Sequence, residues 1–557
     1  MGYLKMSKAQ FDSKYLAGLL VVLAIVPLQV FAQQDPHAHH EMTGWVPREI
    51  LERPTSLREG IGKVNVTVTT SSAEAQAFYN QGLAYLHSYV WIEAARSFNQ
   101  ALRYDSNLSM AYLGLSYAYS GVEDDESARA MFAKAQSLAA NASAGERQRI
   151  EIRGSQLQAM AEPGNALKHL EFKKTIDAAL ALWPDDAELW LLRGNAEEAR
   201  PSGRGQRGGA ASIAFYESAL KRVPDHFAAH HYLTHSYETI GRADRALVHG
   251  EAYARLAPAV PHAQHMYGHD LRRVGRIAEA ITQFEKTRQL EENYFKSENI
   301  RPELDWHYGH NLSLLATAYQ YEGRLKETEK LLRQLFALPK YTAYIELWGK
   351  EWPEFLLSRG RSEEALAAAQ VMKKSKWAAV RSVGCTLAGS ALLRTKGSEA
   401  AQAELAEAER ELMAVVPAGP AGVTPDIVKP YLDALRGEML LRSGKHEEGA
   451  RLLKEVQRQM RAVPGPDAWI QALFRLESIA RDARDAGNWE LAEHTTNQML
   501  DHDASYAGTH YELALVAEHK GDAATMRTEF AAAAKLWSKA DLDLPELRHT
   551  REKLNKK

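Results

Sequence analysis

Apolar and polar positions along most of the chain follow the period of an amphipathic helix, in stretches of helix length. Short polar turns with a glycine separate these stretches. The glycines that end one apolar stretch and precede the next are Gly241, Gly275, Gly323, Gly360, Gly444, Gly487 and Gly521. Glycine suits this position because the residue after a helix commonly adopts the left-handed conformation. The pattern predicts an all-α protein built from antiparallel helical hairpins.

The hairpins recur with a fixed spacing. A unit that starts at Ala75 contains Phe78, Gly82, Tyr85, Ala94, Phe98 and Ala101. A unit that starts at Ser109 repeats this order with Tyr112, Leu115, Tyr119, Ala128, Phe132 and Ala135. Gly241 and Gly275 are 34 residues apart, as are Gly487 and Gly521. Two adjacent units and a spacing that returns late in the chain indicate a tandem repeat.

These residues follow the 34-residue tetratricopeptide repeat pattern, which closes with a proline such as Pro184, Pro224 or Pro258. From about Ala73 to Lys539 the chain resembles the tetratricopeptide repeat (TPR) family, and the segment from Leu86 to Phe98 resembles the opening of a group of exported bacterial repeat proteins. The resemblance implies a right-handed superhelical solenoid whose concave groove is lined by the first helix of each hairpin. Such a groove implies an unidentified protein or peptide partner.

The amino terminus has the layout of a secretory signal peptide. Lysines precede an apolar run, and Val30-Phe31-Ala32 fits cleavage after Ala32. An uncleaved anchor is the alternative, but the run has about half the length that a spanning helix needs. We therefore expect a periplasmic or secreted protein without membrane attachment. The predicted division is a signal peptide over 1–32, an extended arm over 33–72, a first array over 73–417, a joint over 418–425, a second array over 426–540 and a basic tail over 541–557.

Composition narrows the function. A formal net charge of −3 gives no bias toward nucleic acid or anionic membranes. The single cysteine, Cys385, excludes intramolecular disulfides, so stability must come from burial of the 45% of hydrophobic residues. The chain contains no haem-attachment, zinc-protease, serine-hydrolase or phosphate-loop motif. The common enzyme classes are therefore disfavoured, and no catalytic residue is assigned.

Histidine is the unusual residue. Nine of the 21 histidines lie between positions 230 and 310; apart from His249 they are His230, His231, His235, His262, His265, His269, His307 and His310. If units start at Phe227 and Pro261, the pairs His231/His235 and His265/His269 both take the fifth and ninth positions of a first helix. In the TPR family these positions face the groove. Residues four apart share one helical face, so each pair could present two imidazoles to one ion.

Neutral imidazole suits copper, zinc and iron. The hypothesis is one transition-metal site formed by the four paired histidines, with His262 and His310 as alternates. His230, His307 and His87 are weaker candidates. Glu238, Asp270 and Asp305 are candidates for the carboxylates that orient a ligating ring.

Three functions remain open. The first is an exported scaffold that binds a protein or peptide in its groove and holds a metal ion there. The second is metal storage or delivery, and the third is a metalloenzyme that uses the same histidines. Without a metal, the histidines would serve hydrogen bonding or a pH response.

Overall fold

The computed structural model describes residues 45–197, 209–415, 423–462 and 466–555. Every regular element within these ranges is helical. The helices are α1 Arg48–Leu51, α2 Ala73–His87, α3 Trp91–Tyr104, α4 Ser109–Gly121, α5 Asp125–Ser137, α6 Ala144–Ala161, α7 Ala166–Leu182, α8 Ala187–Asn195, α9 Ala210–Arg222, α10 Phe227–Thr239, α11 Ala243–Leu256, α12 Pro261–Arg273, α13 Ile277–Glu298, α14 Trp306–Tyr321, α15 Leu325–Ala337, α16 Ala343–Leu347, α17 Glu351–Ser358, α18 Ser362–Met372, α19 Ala378–Thr395, α20 Ser398–Met413, α21 Pro425–Arg442, α22 His446–Ala462, α23 Pro466–Asp485, α24 Trp489–His502, α25 Ala507–Lys520, α26 Ala523–Leu536 and α27 Pro545–Asn555. Consecutive helices pack as hairpins, which confirms the all-α repeat prediction.

The repeat register follows the sequence closely. Helices α10 and α12 begin at Phe227 and Pro261, the two predicted unit starts. All seven turn glycines have a positive φ, between 71° and 82°. Helix α14 begins at Trp306, where the Asp305 carboxylate caps it by accepting the His307 backbone N–H at 2.9 Å.

The glycines inside the first repeats make room for one aromatic ring. Phe98 is fully buried, and a Cβ at Gly82 would lie 2.7 Å from its ring. A Cβ at Gly114, on the next hairpin, would also overlap the Phe98 ring. Small residues at these two places therefore let α2, α3 and α4 close around the ring.

The segment before the first repeat packs along later parts of the array. The Trp45 indole donates to the Leu304 carbonyl at 3.1 Å, and the Ala259 N–H donates to the Gly60 carbonyl at 2.8 Å. The predicted signal peptide and the start of the predicted arm lie outside the described residues. None of the helices in the described part of the chain has the length and hydropathy needed to cross a bilayer.

The carboxyl-terminal segment differs from the predicted basic tail. It contains α27, whose Leu547 and Thr550 are buried, so its apolar positions belong to the packed array. The Asp541 N–H donates to the Gly323 carbonyl at 3.1 Å, which returns this segment to the α14–α15 turn.

The predicted joint is described only from residue 423 onward. There, Val423 and Val428 share one apolar cluster with Leu405. The two predicted arrays therefore share a core across the joint.

Replacing Gly323 by valine tests the return contact. A Cβ at Gly323 would lie 2.7 Å from the Ala540 Cβ and 2.8 Å from Trp537. We expect Gly323→Val to lower the unfolding free energy by about 1–3 kcal/mol more than Gly444→Val does. Gly444 is a matched control, since it has a similar φ of 82° and no atom within 4 Å of the added Cβ. Equal losses in urea denaturation would contradict a stabilising contact between Gly323 and Ala540.

Candidate metal centre

Three histidines from two neighbouring first helices converge on one point. His231 and His235 lie one turn apart on α10, and His262 lies at the start of α12. The Nε2 atom of His231 is 3.1 Å from Nε2 of His235 and 3.0 Å from Nε2 of His262. All three residues are buried. We call this group the first triad.

The His231 ring is held in one orientation. Its Nδ1 lies 2.7 Å from the backbone carbonyl of His87, to which it donates as an N–H. The lone pair of a neutral His231 ring is then on Nε2, facing the other two rings. Tyr89, a non-glycine residue with a φ of 58°, packs its ring 4.5 Å from the His231 ring. The turn after α2 therefore supports the first triad. The sequence did not reveal this contact between the turn and the triad.

A second triad repeats the arrangement one hairpin later. His265 and His269 lie one turn apart on α12, and His310 comes from α14. One nitrogen from each ring lies within 4.8 Å of the others. The Nδ1 of His265 is 3.0 Å from Oδ1 of Asn311, and the His310 ring stacks on Trp348 with centroids 5.0 Å apart.

His307 lies between the two triads. Its ring centroid is 4.8 Å from that of His262 and 4.5 Å from that of His265. Its Nδ1 is 2.6 Å from Oε1 of Glu291, a fully buried carboxyl on α13. His307 is only a weaker candidate in the sequence, but α14 begins at Trp306 and so includes it.

The predicted carboxylates have different roles. Glu238 reaches both triads, with Oε1 at 3.1 Å from Nδ1 of His269 and Oε2 at 4.0 Å from Nδ1 of His235. Asp270 lies beside Glu238, and burial together with that neighbouring charge raises the pKa of Asp270 well above its usual range. Asp305 caps α14, and burial raises its pKa to about 6. Of the three, Glu238 has the geometry to orient ligating rings.

The remaining candidate histidines belong to other clusters. His230 faces His249, with their Nδ1 atoms 2.9 Å apart. The His87 ring contacts Tyr232 at 3.0 Å and Glu188 at 2.8 Å. Only the backbone carbonyl of His87 reaches the first triad.

The prediction of one site that uses both histidine pairs is revised to two triads. The pairs His231/His235 and His265/His269 lie on α10 and α12, and neighbouring packed helices have axes about 8–10 Å apart. Rings from adjacent first helices can meet across this separation, but among the described residues no group of possible ligands joins His231 or His235 to His265 or His269. Each pair is instead completed by a ring from the next first helix, His262 or His310.

Burial favours the neutral form of these rings. It lowers the pKa of His231, His262 and His265 well below the usual histidine range, and neighbouring histidines lower it further. Burial also lowers the pKa of His307 to about 4. Neutral imidazole is the form that binds metal ions.

The chain is similar to several solved structures at low sequence identity. A tetratricopeptide repeat protein from Parabacteroides merdae is 16% identical, with a TM-score of 0.34 over 51% of this chain and 99% of that chain. The APC/C hetero-tetramer Cut9-Hcn1 is 14% identical, with a TM-score of 0.38 over 87% of this chain and 84% of that chain. Yeast Tom70 is 13% identical, with a TM-score of 0.31 over 86% of this chain and 94% of that chain. Comparisons with protein-family models and with curated proteins gave no match.

Proposed function

We propose that this protein binds two transition-metal ions inside its helical array, one in each triad. The observation that carries the proposal is the position of His231. Its Nδ1 donates to the His87 carbonyl, while its Nε2 faces the Nε2 atoms of His235 and His262 at 3.1 and 3.0 Å. A cation between the three rings would accept a lone pair from each of them.

Hydrogen bonding alone explains the first triad less well. A neutral imidazole carries one N–H, so His262 would have to give its proton to His231 through Nε2. Its Nδ1 would then remain a bare acceptor, and this atom is buried without a hydrogen-bond partner among the described residues. Buried polar atoms without a partner are costly. A metal ion at Nε2 allows Nδ1 to keep the proton or to bind a further group.

The donor set favours zinc or copper, with iron as a third choice. Each triad offers three imidazole nitrogens and no thiolate, a set that suits these ions and leaves a coordination position for another ligand. Asn311 and Glu238 orient His265 and His269 through Nδ1, as outer partners of metal-bound histidines commonly do. We therefore favour metal storage or delivery by an exported protein, and an open position would also permit a metalloenzyme.

Protein binding is the second function that we propose. The histidines that the sequence predicts on an open concave groove are buried. We therefore do not propose that a peptide binds in the groove at these repeats. Helix α7 instead leaves Leu167 and Leu170 exposed on one face, at 76% and 47%. Exposed apolar side chains grouped on one helix are typical of contact surfaces for a partner.

Metal analysis of purified protein tests the metal proposal. After equilibration with zinc and gel filtration, we expect about two equivalents in the unsubstituted protein. His235→Gln should retain about one, because the first triad loses a ligand and the second keeps all three. His230→Gln is the matched control and should retain both, since His230 faces His249 outside the triads. A protein that retains neither zinc nor copper would show the proposal to be wrong.

A further inference from the structure

Three buried imidazole nitrogens between the triads lack a hydrogen-bond partner among the described residues. They are Nδ1 of His262, Nε2 of His265 and Nε2 of His307. The three residues are only 4%, 0% and 5% exposed. Because buried polar atoms are almost always paired, three bare atoms on neighbouring rings indicate a missing ligand.

The rings are as close to one another as the rings of each triad. The His307 centroid is 4.8 Å from that of His262 and 4.5 Å from that of His265, and the latter two are 6.0 Å apart. Within the first triad the corresponding separations are 5.0, 4.8 and 5.8 Å. The middle group is therefore compact enough to share one small ligand.

The outer contacts direct lone pairs toward this ligand. His265 donates its Nδ1–H to Asn311, and the Nδ1 of His307 lies beside the Glu291 carboxylate. The contact with Asn311 leaves Nε2 of His265 as the atom with a lone pair, and His307 has the same tautomer when Glu291 is ionised. Glu291 makes its hydrogen bonds among the described residues to His307 and Asn311, not to a lysine or arginine. Burial raises the pKa of Glu291 well above its usual range, and a cation bound to His307 would favour the ionised carboxylate.

We propose that His262, His265 and His307 form a third, intermediate metal position that connects the two triads; this inference rests on the proposed metal binding. His262 faces the first triad through Nε2 and the intermediate position through Nδ1. His265 uses one Nε2 atom for either the intermediate position or the second triad. A zinc or copper ion can therefore pass between the triads while it keeps at least one histidine ligand at each step.

The test isolates the intermediate position by disabling both triads. In His235→Gln/His310→Gln each triad loses its most exposed ring, while His262, His265 and His307 remain. We expect this variant to retain about one equivalent of zinc or of cobalt(II), whose visible absorption reports its ligands. Adding His307→Gln should remove that equivalent, whereas adding His230→Gln should not. Circular dichroism establishes that each variant is folded.

The outcomes separate the two proposals. If the unsubstituted protein binds no metal, the proposed function fails. If it binds metal but the His235→Gln/His310→Gln variant retains none, the proposal of an intermediate position is wrong, and a water molecule rather than a metal ion would lie between the three rings. Retention of the ion after His307→Gln would also overturn the inference. If a variant does not fold, the second measurement uses Glu291→Gln in the His235→Gln/His310→Gln background. This substitution should weaken metal binding about 10–100-fold. An unchanged metal affinity would overturn the inference.

Discussion

Metal-free protein is expected to lose stability steeply as the pH falls from 6.5 to 5. Folding keeps His231, His262 and His265 neutral, because burial and their neighbours lower the pKa of each ring. The unfolded chain binds protons on these rings below about pH 6.5, so acid favours unfolding. Each ring should remove about 1.4 kcal/mol per pH unit, and the raised pKa values of the two buried carboxyls Asp270 and Glu291 act in the opposite direction. The net loss should be on the order of 1–4 kcal/mol per pH unit, against a typical stability of about 5–15 kcal/mol.

Urea denaturation of chelator-treated protein at pH 7.5, 6.5 and 5.5 measures this effect. The unfolding free energy should change little between the first two values and fall sharply at the third. His262→Gln removes one titrating ring, so its stability should fall less steeply over the same range. A pH-independent stability would mean that these rings take up protons in the folded protein as readily as in the unfolded chain.

Phe98→Ala is expected to cost about 3–5 kcal/mol. The ring is fully buried between Gly82 and Gly114, and its centroid is 5.7 Å from that of Tyr79. Since both facing residues are glycines, neither has a side chain that could fill the cavity. The expected result is a large drop in the thermal midpoint with little change in the native helical signal.

Tyr104→Ala provides the comparison for Phe98→Ala. Tyr104 ends the same helix and its ring stacks on Phe78, but it remains 49% exposed. Tyr104→Ala should therefore lower the unfolding free energy by about 1 kcal/mol or less, in addition to the loss of the ring contact with Phe78. Similar losses for the two variants would contradict a central packing role for Phe98.

The sequence predicts the positions of the helices better than the contacts between different helices. Periodicity and turn glycines placed the starts of α10 and α12 and grouped the histidine pairs by helical face. Local spacing carries no information on the distance between two helices, so the division into two triads required the structure. Glu291 and Asn311 gave no local signal, because their contacts with His307 and His265 join different helices.

Backbone detail explains two other differences. Tyr89 adopts a left-handed conformation that sequence patterns rarely assign to a tyrosine, and this conformation brings its ring to His231. At the carboxyl terminus, the prediction of a basic tail rests on five basic residues in 541–557, although four acidic residues accompany them and Leu544 and Leu547 occupy buried positions. Composition averages over both faces of α27, whereas packing uses only one.

The contact between the turn after α2 and the first triad bears on how this protein can evolve. Solenoids commonly gain or lose whole hairpins, because each hairpin touches only its neighbours. Here the His87 carbonyl accepts from His231, 144 residues later, and Trp45 donates to Leu304, 259 residues later. Insertion or deletion of a hairpin between these points would pull the partners apart. These contacts therefore constrain the number of hairpins between α2 and α14, and a whole hairpin can be added with less disturbance outside that interval.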